Sequence, residues 1–159
     1  MPSISNFRTA VVDVTLTHAA SANFVTGDVI ADTQSVIIGP TTRPARGTIN
    51  NILVIDGNDV GKDMDIVVLD SDVSLGTEDG AVALSAANAA NILSVVNTGE
   101  TWIDVGSAKI VQVSAFAPIP YNVDDGTIYI GVISRDTADH SSGSTNALKL
   151  RLFISIENS

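Results

Sequence analysis

The chain has 159 residues, 18 of them acidic and 8 basic, for a formal net charge of −10, and it contains no cysteine. The missing thiols exclude disulfides, thiolate metal ligands and a cysteine nucleophile, and the acidic balance argues against a nucleic-acid partner because it repels phosphate backbones. The apolar fraction of 45% suits one domain rich in Val and Ile, with 4% aromatic residues, and no apolar run approaches the ~18 residues of a membrane span, so no membrane partner is expected.

The opening MPSISNFR (residues 1–8) is polar and irregular, which predicts an N-terminal arm ahead of a single β-domain over 9–159. It lacks the charged start and apolar stretch of a secretory signal, so synthesis as a soluble protein in the cytoplasm is expected. Next, Val12, Val14 and Leu16 alternate with Asp13, Thr15 and Thr17, the period of a half-buried strand. The connection IIGPTTRPARGT follows, with turn residues and two arginines, Arg43 and Arg46.

Residues 52–70, ILVIDGNDVGKDMDIVVLD, place a Gly- and Asp-rich loop between two apolar runs. An EF-hand starting at Asp56 would have Asn58 and Gly61 in the right places, but Val60 and Val67 stand where oxygen ligands are required. The flanks lack polar alternation, as buried strands do. The segment therefore reads as strand, loop and strand, its Asx and Gly residues serving turn geometry.

SAANAANILSVV (85–96) predicts one short helix, over about 85–95, capped by Ser85 and carrying an apolar stripe of Ala89, Ile92, Leu93 and Val96. Its expected role is to plug an open end of the β-structure. In TWIDVGSAKIVQ, a two-residue turn at Gly106-Ser107 sets Asp104 opposite Lys109 as an expected ion pair, Ile103 opposite Ile110 and Trp102 opposite Val111. IYIGVIS (128–134) is apolar on both faces, as in a central strand, and its Gly131 implies close approach by another group. LKLRLFISI sets Leu148, Leu150, Leu152, Ile154 and Ile156 on one face, a periodicity no helix produces. The fold class that results is all-β: an antiparallel β-sandwich or jelly-roll-like barrel with one short helix.

Signals for chemistry are sparse. The two histidines, His18 and His140, sit in polar, loop-like contexts without a G-x-S-x-G elbow, and read as isolated surface residues. HEXXH, Walker A and G-x-G-x-x-G patterns are missing. Only three glutamates are present, and Trp102, Tyr121 and Tyr129 each have a core or interface explanation. No enzymatic activity, catalytic residue, cofactor or metal is expected.

Four stretches together resemble a family of tailed-bacteriophage virion proteins, the capsid decoration (cement) proteins: ILVIDGNDVGKDMDIVVLD, NAANILSVV, IYIGVISRDT and LKLRLFISI. Departures from the family pattern are Leu93-Ser94, where it has Leu-Gly, and Leu69, where an aromatic precedes the Asp. The resemblance implies a non-enzymatic structural protein that binds and stabilises the outer surface of a shell of major capsid protein. The expected location is the capsid exterior, and the protein would self-associate, a trimer being favoured. Contacts are expected through the arm, at Ser3, Phe7 and Arg8, and through Arg43 and Arg46 of the long connection. The alternatives are a tail, neck or head-fibre component of the virion, or a carbohydrate- or calcium-binding β-sandwich module centred on Trp102 or the 56–65 loop.

Overall fold

Alternating apolar residues fold into strands here because each strand can then bury one side against a second sheet. The computed structural model describes residues 7–20, 23–113, 117–138 and 145–157. Within them run β1 (Phe7–Thr15), β2 (Val29–Ile37), β3 (Ala45–Asp56), β4 (Met64–Leu69), the one-turn helix α1 (Ala86–Ala89), β5 (Ile92–Asn97), β6 (Ile103–Asp104), β7 (Lys109–Val113), β8 (Ile119–Val123), β9 (Thr127–Ser134) and β10 (Leu148–Glu157).

The first sheet has the order β1-β10-β3-β7-β6, with β8 continuing beside the first half of β3, and the second has the order β2-β9-β4-β5. Among the described residues every pairing between these strands is antiparallel, and the set is nested: β1 with β10, β2 with β9, β3 with β7 and β8, β4 with β5. Such nesting arises when a chain doubles back near its middle, at α1, and the long ribbon rolls into two layers. That is the jelly-roll arrangement of a β-sandwich. Between the layers lie Leu16, Phe24, Ile49, Ile52, Val54, Ile66, Ile128, Ile130, Leu150 and Leu152, all at most 1% exposed.

Several expectations hold in detail. β10 alternates between core and solvent along its length. β9 is central, flanked by β2 and β4. The runs 52–55 and 66–69 are strands, but they belong to different sheets, so the loop between them crosses from layer to layer. Ile103 pairs with Ile110 and Asp104 with Lys109 around Gly106, whose φ is 100°.

Others are corrected. The expected ion pair between Asp104 and Lys109 does not form: Asp104 accepts from the Gly106 amide at 2.7 Å, while Lys109 Nζ reaches the Val60 carbonyl at 3.5 Å. The two-residue ladder also stops short of Trp102 and Val111, because the indole turns to the Gly99 carbonyl. The predicted helix is a single turn. Ser85 caps it as expected, its Oγ accepting from the Asn88 amide at 3.2 Å, but no residue of α1 is buried and it plugs nothing. Residues 92–97 form β5 instead, since the Ile- and Val-rich segment fills the open edge of β4 with Leu93 as an extra, bulged residue. Finally, Phe7 and Arg8 belong to β1 rather than to an arm, pairing with Glu157 and Ile156; Ser3 lies outside the described residues.

The outer faces of the two sheets differ. Residues 71–84 lie across the second sheet, where Val29, Val67, Leu69, Leu75 and Ile133 form a separate buried cluster. Asp32 holds that strap: its carboxylate accepts from the Leu75 amide and from Ser74 Oγ, both at 2.7 Å. Across the first sheet, Phe7, Val11 and Ile103 are exposed, and Leu53, Ile55, Ile110 and Phe153 are half-buried. Among the described residues, no helix is long and apolar enough to cross a membrane.

Candidate functional site

Three of the residues singled out in the sequence converge. Arg43, Pro44, Arg46 and Glu157 line a groove of about 310 Å³ at the end of the first sheet, and a neighbouring recess adds Arg8 and Pro40. Strand register is the cause. Arg8 is opposite Ile156, which is opposite Gly47, so the start of β1 and the start of β3 flank the end of β10. The loop carrying Arg43 is packed against the β8–β9 turn, where a β-carbon on Gly126 would lie 2.4 Å from the Pro40 carbonyl oxygen. Arg46 is steadied by Nε donating to Asn122 Oδ1 at 3.0 Å.

Among the described residues, no carboxylate lies within ion-pairing distance of Arg8, Arg43 or Arg46, whereas Lys62, Arg135 and Arg151 are each paired with an aspartate. On a chain of net charge −10, such a groove offers guanidinium forks to a carboxylate-bearing surface. Phe7, on the neighbouring outer face opposite Glu157, is 62% exposed. Glu157 carried no signal in the sequence beyond its place near the end of the chain; only the pairing of β10 brings it to the arginines.

At the other end of the sandwich, Asp56 is fully buried. Its carboxylate accepts from the amides of Asn58, Val60 and Gly61 at 2.9, 3.2 and 2.9 Å. Asp59 and Gly61 adopt left-handed backbone, with φ of 60° and 61°. The Asp56 oxygens are thus committed to turn geometry. Nearby, Asn97 Nδ2 bridges Asp63 and Asp65 at 2.8 and 2.9 Å, and Arg135 pairs with Asp65. Lys62 bonds Asp136 at 3.1 Å, which holds that carboxyl below the usual carboxylate range. These contacts tie three loops together. Among the described residues, no group of three or more His, Asp or Glu is placed to hold a metal ion.

His18 is buried rather than on the surface. The chain beyond β1 continues into the gap between the sheets, where the His18 amide donates to the Thr145 carbonyl at 2.8 Å and Nδ1 lies 2.8 Å from the Ala19 carbonyl oxygen. His140 lies outside the described residues. Trp102 is partly buried against the core and its Nε1 donates to the Gly99 carbonyl at 3.0 Å. Tyr121 is buried, which pushes its hydroxyl up to about 12, and it donates to the Ser155 carbonyl at 3.3 Å. Tyr129 packs against the cluster beneath the strap.

No protein-family model matches the chain, and no curated protein matches it. Among solved structures, it is similar to the virus-like particle of the giant freshwater prawn Macrobrachium rosenbergii extra small virus, at 11% identity over 100% of this chain and 82% of that chain, with a TM-score of 0.38. It is also similar to the Israeli acute paralysis virus particle heated to 63 degrees (8% identity, 97% and 71% coverage, TM-score 0.31). A third is the VP2 subviral particle of infectious bursal disease virus (14% identity, 98% and 42% coverage, TM-score 0.33). The fold assignment rests on the nested strand pairing, to which likenesses this distant add nothing.

Proposed function

We propose that this protein is a structural component of a virion, and more specifically a decoration protein that binds the outer surface of a shell of major capsid protein and stabilises it. The observation that carries this reading is the difference between the two outer faces. Residues 71–84 of the same chain cover the centre of the second sheet and leave Ile37 and Val95 exposed on its edge strands, whereas the first presents Phe7, Val11 and Ile103 to solvent beside the groove of Arg8, Arg43 and Arg46. A broad, mixed apolar and polar face, with a rim that holds three arginines not ion-paired among the described residues and the carboxylate of Glu157, has the composition of a protein–protein interface. The sequence resemblance described above points the same way. On a shell of many equivalent subunits, modest contacts repeated at every site add up to firm attachment.

The test is to incubate the purified protein with isolated shells of the cognate capsid subunit that lack it. The decoration reading expects saturable binding, in proportion to the number of shell subunits, and a rise in shell melting temperature. Absence of both overturns it. Recovery of the protein from purified particles at only a handful of copies would assign it to the tail or neck instead.

A further inference from the structure

We propose that β1 is the docking edge for a second copy of this chain, the two β1 strands pairing antiparallel about a two-fold axis that passes beside Val11. The argument starts from how the other edges are finished. Unpaired strand edges invite association, and proteins blunt them with bulges, proline, charge or brevity. β2, an edge of the second sheet, carries two extra residues relative to β9. β5, the opposite edge, has six residues and is bulged at Leu93. β6 has two residues and β8 contains Pro120.

β1 has no bulge, no proline and no shortening, and its two charges, Arg8 and Asp13, stand towards its two ends. It runs for nine residues in unbroken register with β10, from Phe7 opposite Glu157 to Thr15 opposite Lys149, and among the described residues it has no strand on its other side. Its sequence, FRTAVVDVT, contains no proline, and Phe7 and Val11 are 62% and 54% exposed. The inward-facing Ala10, Val12 and Val14 are only partly buried although they pack on the main core. Beside them a groove of about 340 Å³ opens between β1 and β2, lined in part by Val12, Val14, Val36 and Ile37. An added strand closes that seam while satisfying the free amides and carbonyls of β1.

Charge permits a second copy as the occupant. The chain as a whole repels itself at −10, but β1 carries one arginine and one aspartate, and Asp13 is already bonded to Arg151 at 2.6 and 3.1 Å. Side chains directly opposite in an antiparallel pair share a face, so the registers are restricted. The register centred on Val11 sets Val11 against the partner's Val11, Ala10 against the partner's Val12, Arg8 against the partner's Val14, and Thr9 against the partner's Asp13. No like charges meet. The strand edge and the adjoining seam offer roughly 30 Å by 20 Å on each partner, about 1,200 Å² in total, at the lower limit for a stable specific interface. The solution unit is then a two-fold pair, not the trimer that the resemblance suggests, and this holds whether or not the protein decorates a shell.

The test uses the absence of cysteine in the parent chain. By sedimentation equilibrium the wild type should be a dimer in reversible exchange with monomer. Val11→Asp and Val11→Lys should each weaken the dimer about tenfold or more, because like charges then face each other across the axis, and the far-UV circular dichroism of both should be unchanged. Mixing the two variants should restore a dimer. Val11→Cys under mild oxidation should give a disulfide-linked pair on a non-reducing gel. A wild type that sediments as monomer or trimer overturns the proposal, as does a Val11→Asp protein that dimerises like the parent, a mixture that stays monomeric, or a Val11→Cys protein that stays uncrosslinked.

Discussion

Leu75 occupies the space that a β-carbon on Gly131 would need: its Cδ1 lies 2.5 Å from that position, and the Ala31 carbonyl oxygen lies 3.2 Å from it. The glycine at the centre of the second sheet is what lets the strap of residues 71–84 sit down on β9. Gly131→Ala is therefore expected to cost about 1–3 kcal/mol in urea unfolding, by lifting Leu75 out of its cluster. Leu75→Ala alone should cost about 2–5 kcal/mol. The double variant should lose less than the sum, because the methyl group then enters the vacated space. Strict additivity would mean that the strap is not seated by this contact.

Asp56→Ala should destabilise the protein by about 3 kcal/mol, since three backbone amides of the 57–61 turn lose a buried acceptor together. Asp56→Asn keeps one acceptor oxygen and should cost less. Amide exchange at Asn58, Val60 and Gly61 should speed up in both variants. Added calcium should leave the wild-type melting temperature unchanged; a calcium-dependent rise would revive the ion-binding alternative for this loop.

Tyr121 makes a prediction at alkaline pH. Its hydroxyl is pushed up to about 12 by burial, whereas the unfolded chain ionises near an ordinary tyrosine value of about 10. A raised folded value means that the contribution of this group is fully present below pH ~10 and declines as pH rises through about 12. Tyr121→Phe should lose about 1 kcal/mol at neutral pH with the bond to the Ser155 carbonyl. It should also show a shallower fall in stability across that alkaline window. An identical alkaline slope in the two proteins would contradict the burial argument.

Reversing Arg43 and Arg46 together, as Arg43→Glu with Arg46→Glu, should change folding stability little, within about 0.5 kcal/mol for each site. Neither arginine is ion-paired among the described residues. On the decoration reading, the same change should slow association with shells, and it should abolish the loss of binding that added salt produces in the wild type. Unaltered binding kinetics would remove the groove from the interface.

Much of the secondary structure was legible because its causes are local. The period of LKLRLFISI, the Gly106 turn and the Ser85 cap each depend on residues within a few positions of one another, and each appears where the sequence puts it. The failures were also physical. Ile92 to Val96 carries an apolar spacing that fits a helix, yet the vacant edge of β4 offers the segment paired backbone and burial of Val96, and that outweighs a weak local preference. His18 looked exposed because its neighbours are polar, but the chain beyond β1 dips between the sheets. Asp104 and Lys109 face each other as expected, and still each finds a nearer backbone partner.

Of the candidate site, Arg8, Arg43 and Arg46 were identifiable one by one, and their meeting was not. By itself the sequence determined that this chain forms strands, that its surface is acidic and that cysteine chemistry is absent, because composition and a two-residue period decide those matters within short windows. Only the tertiary structure decided which strands became neighbours, which strand stands at an open edge and over which sheet the strap of residues 71–84 lies. Those outcomes depend on pairings between residues more than a hundred positions apart, such as Arg8 with Ile156, whose stability comes from the shared core and from no local signal in either segment.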